Sequence, residues 1–265
     1  MKKILLFFSI ILFLSACTGN QKTYYISMPN FKSTFEEHNN TNANSPKVKI
    51  NDVEIIKNTF YSSYFEQSTL NQRINKSLEL LKKQLLEDSK ALLQSKGYII
   101  DNENPDYAFN IVINASLYED KVTRNSSLGG DSVESSFMII LEAQSHLNNL
   151  HQEDTFQSTA SSAKLNDPII LNYPIKGQAS IESFREVYSA VPTQVNESLA
   201  ASALEIDKVF LAFYKEITSS LKTSIKEIKE EPKTQENSEV QDVKEDDKKE
   251  EKATPYQNNE VIIFE

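Results

Sequence analysis

The chain has 265 residues, 39% of them hydrophobic, and a formal net charge of −10 at pH 7. That balance argues against nucleic acid as a partner and against holding the whole chain on anionic lipid by charge. The length suits one large domain or two small ones, and a single cysteine excludes a disulfide framework, so a fold must rest on its core.

Residues 1–16 read as a lipoprotein signal peptide. Lys2 and Lys3 supply a positive start, and Ile4 to Leu14 is an apolar run short for a membrane span. Leu14-Ser15-Ala16-Cys17 then has the form of a bacterial lipobox. Small side chains open the backbone before the cysteine to a peptidase, and the Cys17 thiol can carry a diacylglycerol. An ordinary secretory signal or an uncleaved anchor helix are the competing readings. Acyl chains contribute about 0.8 kcal/mol per buried methylene, so two or more hold a protein on a bilayer without a transmembrane helix. Thr18 stands where an aspartate favours inner-membrane retention, so the expectation is an outer-membrane protein, anchored by lipid and facing either the cell surface or the periplasm. Residues 17–21 are the lipidated start and tether.

Residues 22–230 are expected to form one domain. Tyr24, Tyr25, Ile26 and Met28 suit a short strand ending at Pro29, residues 38–46 a loop, and 48–60 a strand or two. From Ser68 to Lys96, Leu70, Ile74, Leu78, Leu81, Leu85 and Leu92 recur at steps of three, four and seven, which predicts an amphipathic helix capped by Ser68 and closed by Gly97. Tyr107 to Tyr118 alternates, with Tyr107, Phe109, Ile111, Ile113 and Leu117 on one face, and predicts a half-buried antiparallel strand. Residues 125–131 read as a flexible loop, followed by a strand with Phe137, Ile139, Leu141 and Ala143 facing inward, then a weaker strand over 155–164. After an irregular stretch, 165–192, a second long helix is expected from about Thr193 to Glu230, with Leu199, Ile206, Phe210, Phe213, Ile217 and Leu221 on its apolar stripe. The fold class is therefore α+β: an antiparallel β-meander sheet packed against two long amphipathic helices. Residues 231–265 carry 11 acidic and 5 basic side chains and read as a solvated, disordered acidic tail. Its end, Val261-Ile262-Ile263-Phe264, is either a frayed terminus or a strand that adds to a sheet edge.

Little in the sequence points to catalysis. His146 and His151 lie five apart with Glu153 and Asp154 nearby, a spacing that lacks the third ligand of a zinc site. Five glycines are too few for phosphate-cradling loops, and no nucleophile-elbow or dinucleotide fingerprint is present. Neither an enzyme, a metal nor a cofactor is expected.

The order of these features resembles that of the neuraminyllactose-binding haemagglutinin lipoproteins of Helicobacter-type bacteria. The resemblance covers roughly residues 20–230. It rests on the lipobox, the aromatic Phe60-Tyr61-Ser62, the helix end Gln94-Ser95-Lys96-Gly97-Tyr98, the following Ile/Val/Ala strand with Tyr118-Glu119-Asp120-Lys121 after it, and the closing helix. It implies an α+β outer-membrane or surface lipoprotein with a role in adhesion to sialylated glycans. The family's glycan segment is a compact basic cluster after the strand matching 107–118. Here that place reads Glu119-Asp120-Lys121-Val122-Thr123-Arg124, so Lys121 and Arg124 are the candidate ligand-binding residues. An arginine fork is the expected device for a sugar carboxylate, and an ordinary solvated turn is the other reading. Two functions follow. One is a non-catalytic binding protein that contacts a host glycan through 119–133 and 165–192. The other is a periplasm-facing structural or assembly lipoprotein that engages another envelope component through its tail.

Overall fold

Two strands carry the architecture. β5 (Tyr107–Ser127) and β6 (Gly130–Asn149) pair antiparallel along their whole length, from Tyr107 opposite Asn149 to Ser127 opposite Gly130. Every second side chain turns inward: Phe109, Ile111, Ile113, Ala115 and Leu117 on β5, and Val133, Phe137, Ile139, Leu141 and Leu147 on β6, are all buried. The computed structural model of the chain describes residues 22–35, 40–127, 130–152, 156–174 and 191–228. They all belong to a compact unit spanning 1–229; a second unit, 230–265, lies outside the described residues, as do Cys17 and the acidic tail.

The rest of the sheet is laid along this ribbon in interrupted strands. On the β5 side, β2 (Lys47–Ile50) and β3 (Glu54–Phe60) follow one another, both parallel to β5, and β4 (Ile99–Ile100) pairs parallel with β2. On the β6 side, β7 (Phe156–Lys164) and β8 (Ile169–Pro174) follow one another, both antiparallel. The sheet is thus mixed, not an antiparallel meander. Parallel pairing follows from connectivity: the chain leaves β3, crosses one face in helices and returns to β5, and a crossover delivers a parallel neighbour. Residues 119–124, expected as a turn, and 125–127, expected as loop, continue β5 instead. The stretch 165–192 contains β8, and residues 175–190 of it are not described.

α1 (Ser63–Glu66) is one turn capped by Ser62, whose hydroxyl accepts from the Phe65 N–H at 3.3 Å. α2 (Thr69–Ser95) begins at Ser68, whose hydroxyl accepts from Asn71 N–H at 3.1 Å. α3 (Glu197–Ser224) starts four residues later than the periodicity suggests and stops before Ile225, whose backbone is extended. α2 packs on β2, β3 and β4, α3 packs on β6, β7 and β8, and the two helices pack on each other, so both cover the same face of the sheet. A separate ribbon pairs β1 (Thr23–Tyr25) with β9 (Gln194–Asn196), just ahead of α3.

Gly97 turns the chain from α2 into β4 with φ +91°, the left-handed conformation that ends many helices. A Cβ there would also lie 3.3 Å from Ile228 Cβ, where the chain after α3 folds back and the Ile228 N–H donates to the Lys96 carbonyl. Gly97→Ala is expected to cost about 1–2 kcal/mol from the left-handed backbone alone; a urea melt should show a lower midpoint with an unchanged slope.

Two buried polar clusters join the helices to the N-terminal segment. The Arg73 guanidinium, fully buried on α2, donates to both carboxylate oxygens of Asp207 on α3, at 3.1 and 2.5 Å, and to the carbonyls of Ile26, Ser27 and Pro192 at 2.5–3.0 Å. Burial pushes the Asp207 carboxyl up from its ordinary value, against the pull of Arg73. One helical segment further on, the Tyr214 phenol sits 2.5 Å from Asp88 Oδ2 and 2.9 Å from the Lys32 carbonyl, and Phe31 packs on its ring.

Candidate functional site

Because both long helices lie on one side, the opposite face of the sheet has no helical cover among the described residues. Its side chains are those that point away from the core on each strand. Register places Phe60 of β3 beside Tyr118 of β5, and Tyr118 beside Met138 of β6. The Phe60 and Tyr118 rings stack with centroids 5.2 Å apart and planes within 2°. Phe60 remains 61% exposed and Tyr118 41%, so the pair keeps aromatic surface in water. Ile170 of β8 adds a further apolar side chain, 62% exposed.

Amides and hydroxyls border this row. Asn58 and Ser116 lie next to the stack, their side chains 3.5 Å apart, and Asn114 with Gln144 continues the polar rows towards β7. At β7 a shallow cleft of about 340 Å³ is lined by Asn114, Glu142, Gln144 and Ser162 of the open face and by Ser161 and Glu216 of the side that α3 covers. Its two charged groups are both carboxylates, and no lysine or arginine lines it. His146 lies on the same face of β6, while His151 stands beyond the strand end, 3.4 Å from Asp106.

Beneath the aromatic stack the sheet is stiffened from the covered side. Phe65 of α1 stacks on Phe137 at 4.7 Å, with Tyr61 against Phe65. Glu119, turned inward at the end of this row, accepts from the Ser62 N–H at 2.8 Å and from the Tyr173 phenol at 2.6 Å. Burial, then the bond to Glu119, holds that phenol well above its ordinary value.

The two sequence-derived ligand residues stand further out on the hairpin. The β5–β6 register slips by one residue between Asp120 and Thr123, and Lys121 is in this bulge with φ +50°. A side chain in that conformation costs about 1–2 kcal/mol, so the bulge is a strained point on an otherwise regular arm. Lys121 is exposed. Arg124 is paired across the hairpin with the Asp131 carboxylate, which raises the arginine and lowers the aspartate from their ordinary values. The structure does not bring Lys121 and Arg124 into one basic cluster, and Cys17 is outside the described residues.

Sequence reasoning missed the open-face row as a site. Phe60 was visible only within an aromatic triplet and Tyr118 only as the start of a charged segment; what unites them is a parallel register between residues 58 apart, which no local pattern encodes.

Residues 1–18 match the family model of the prokaryotic membrane lipoprotein lipid attachment site. No curated protein matches the chain. Among solved structures, a neuraminyllactose-binding hemagglutinin homolog from Helicobacter pylori is similar at 15% identity and a TM-score of 0.32, over 73% of this chain and 99% of that one. A minor lipoprotein from Acinetobacter baumannii is similar at 11% identity and a TM-score of 0.25, over 68% of this chain and 94% of that one. Scores this low carry no argument about fold or ligand. The attachment site does carry one: the chain is a lipoprotein anchored to a membrane through lipid.

Proposed function

We propose that this lipoprotein is a non-catalytic binding protein of the outer membrane that holds a glycan on the open face of its sheet, in the manner of an adhesin. The observation that carries this reading is the exposed Phe60–Tyr118 stack set among Asn58, Ser116 and Asn114. Sugar rings present C–H faces that pack on aromatic rings, while their hydroxyls exchange hydrogen bonds with amides and side-chain hydroxyls. The sheet backbone holds the rings in place, so little ordering cost falls on the binding step.

The open face carries both signs of charge: Glu142 lies on it, and so does exposed Lys164, which stands opposite Ile140 in the row of Asn58 and Ser116. A sialic-acid carboxylate calls for a free cation, and Arg124 already has its carboxylate partner in Asp131. Glu142, in the adjoining cleft, disfavours an anion beside it. A sialylated ligand that used Arg124 would have to displace Asp131, and Asp131→Asn should then strengthen its binding.

The test is an array of immobilised neutral and sialylated glycans probed with the chain from residue 22 onward. Phe60→Ala and Tyr118→Ala are each expected to weaken binding by up to about tenfold, the size of one aromatic contact of 0.5–1.5 kcal/mol. Both side chains are exposed, so stability should change by no more than about 0.5 kcal/mol. Binding that neither variant alters, or no binding to any glycan, would overturn the proposal.

A further inference from the structure

We infer that the outward face of α3 lies flat on the lipid surface and so turns the open face of the sheet away from the membrane. At 100° per residue, Leu204, Lys208, Leu211, Lys215 and Lys222 fall within an arc of about 60° on the side of α3 that faces neither the sheet nor α2; Glu197 in the first turn shares the arc, with its carboxylate bonded to Tyr24. Leu204 and Leu211 are 49% and 40% exposed, on the side of the helix away from its buried stripe. Leucines alternating with lysines at this spacing suit an interfacial helix: the leucines enter the headgroup boundary and the lysine stems lie along it, with their ammonium groups among the phosphates. The stripe is basic in a chain whose net charge is −10, so anionic headgroups would be drawn to this face selectively. Lys208 also pairs with Glu205 one turn back, which leaves Lys215 and Lys222 as the freer cations.

The anchor brings this face within reach. Six Cα-to-Cα steps separate Cys17 from Thr23 in β1, at most about 21 Å in any conformation. β1 in turn sits at the start of α3: it pairs with β9, the Glu197 N–H donates to the Lys22 carbonyl, and the Tyr24 phenol donates to the Glu197 carboxylate at 3.1 Å. Tyr25 on the same strand is 76% exposed, and tyrosine is a side chain that partitions to the headgroup region. A lipid held at residue 17 therefore keeps the first turn of α3 within reach of the bilayer, and the remaining turns, about 36 Å of helix, can lie along it.

The experiment uses the full lipidated chain in vesicles of phosphatidylethanolamine and phosphatidylglycerol. Because the only native cysteine is the acylated one, Leu204→Cys, Leu211→Cys and, on the open face, Ile170→Cys each offer one site for a nitroxide. Labels at 204 and 211 should be severalfold less accessible to a water-soluble nickel chelate, and more accessible to oxygen, than the label at 170. Replacing Lys208, Lys215 and Lys222 with glutamate should abolish that shielding while flotation still carries the protein with the vesicles. Equal nickel accessibility at all three positions, or shielding that survives the charge reversal, would overturn the inference.

Discussion

Replacing Asp207 with alanine is expected to destabilise the protein by about 3–5 kcal/mol, because it leaves a fully buried guanidinium without its counter-charge. Arg73 would keep its bonds to the carbonyls of Ile26, Ser27 and Pro192, which satisfy its N–H groups but not its charge. In a domain of this size each kcal/mol corresponds to about 2–4 °C in melting temperature. Exchanging both partners for apolar residues of similar volume, Arg73→Met with Asp207→Leu, should recover much of the loss, since the penalty belongs to the orphaned charge. Calorimetry on the two single variants and the double variant gives the comparison. A double variant as unstable as the singles would mean that the bonds to the N-terminal segment, and not the charge pair, dominate.

Phe137→Ala is expected to cost a similar amount, about 3–5 kcal/mol. The ring is fully buried beneath α1 and stacks on Phe65 at 4.7 Å, and α1 is held by its cap on Ser62 and the Ser62–Glu119 bond, which limits how far it can settle into the space left. The loss should concentrate on the outer half of the β5–β6 hairpin, where α1 lies over the sheet and β8 pairs with β6. Hydrogen exchange should therefore speed up over 117–127 and 130–137 more than over 107–113 and 143–149. Uniform acceleration along both strands would contradict a loss of packing confined to the outer half of the hairpin.

The parts of this fold that could be read from the sequence are those set by local periodicity. The leucine steps from Leu70 to Leu92 match buried positions on α2, and the alternation from Phe109 to Leu117 matches the covered face of β5. Gly97 has the left-handed backbone that its place after a helix predicts. Long-range pairing was hidden. β2 and β3 give no sign of running parallel to β5, and the polar run 119–127 looks like a turn because its strand character comes from its partner across the hairpin. Arg73 and Asp207, separated by 134 residues, each look like ordinary helix-surface charges until the two helices are packed together. The candidate site was hidden for the same reason: its aromatic pair is made by register, and the basic residues that the sequence offered are divided between a strained bulge and a cross-strand ion pair.

A glycan-binding face is of use to the cell only where glycans can reach it. Protease added to intact cells, with a periplasmic protein as the control for lysis, tests that requirement directly. The account predicts that the domain of residues 22–228 disappears from unlysed cells while the control stays whole. Full protection of the domain, with digestion only after lysis, would contradict it.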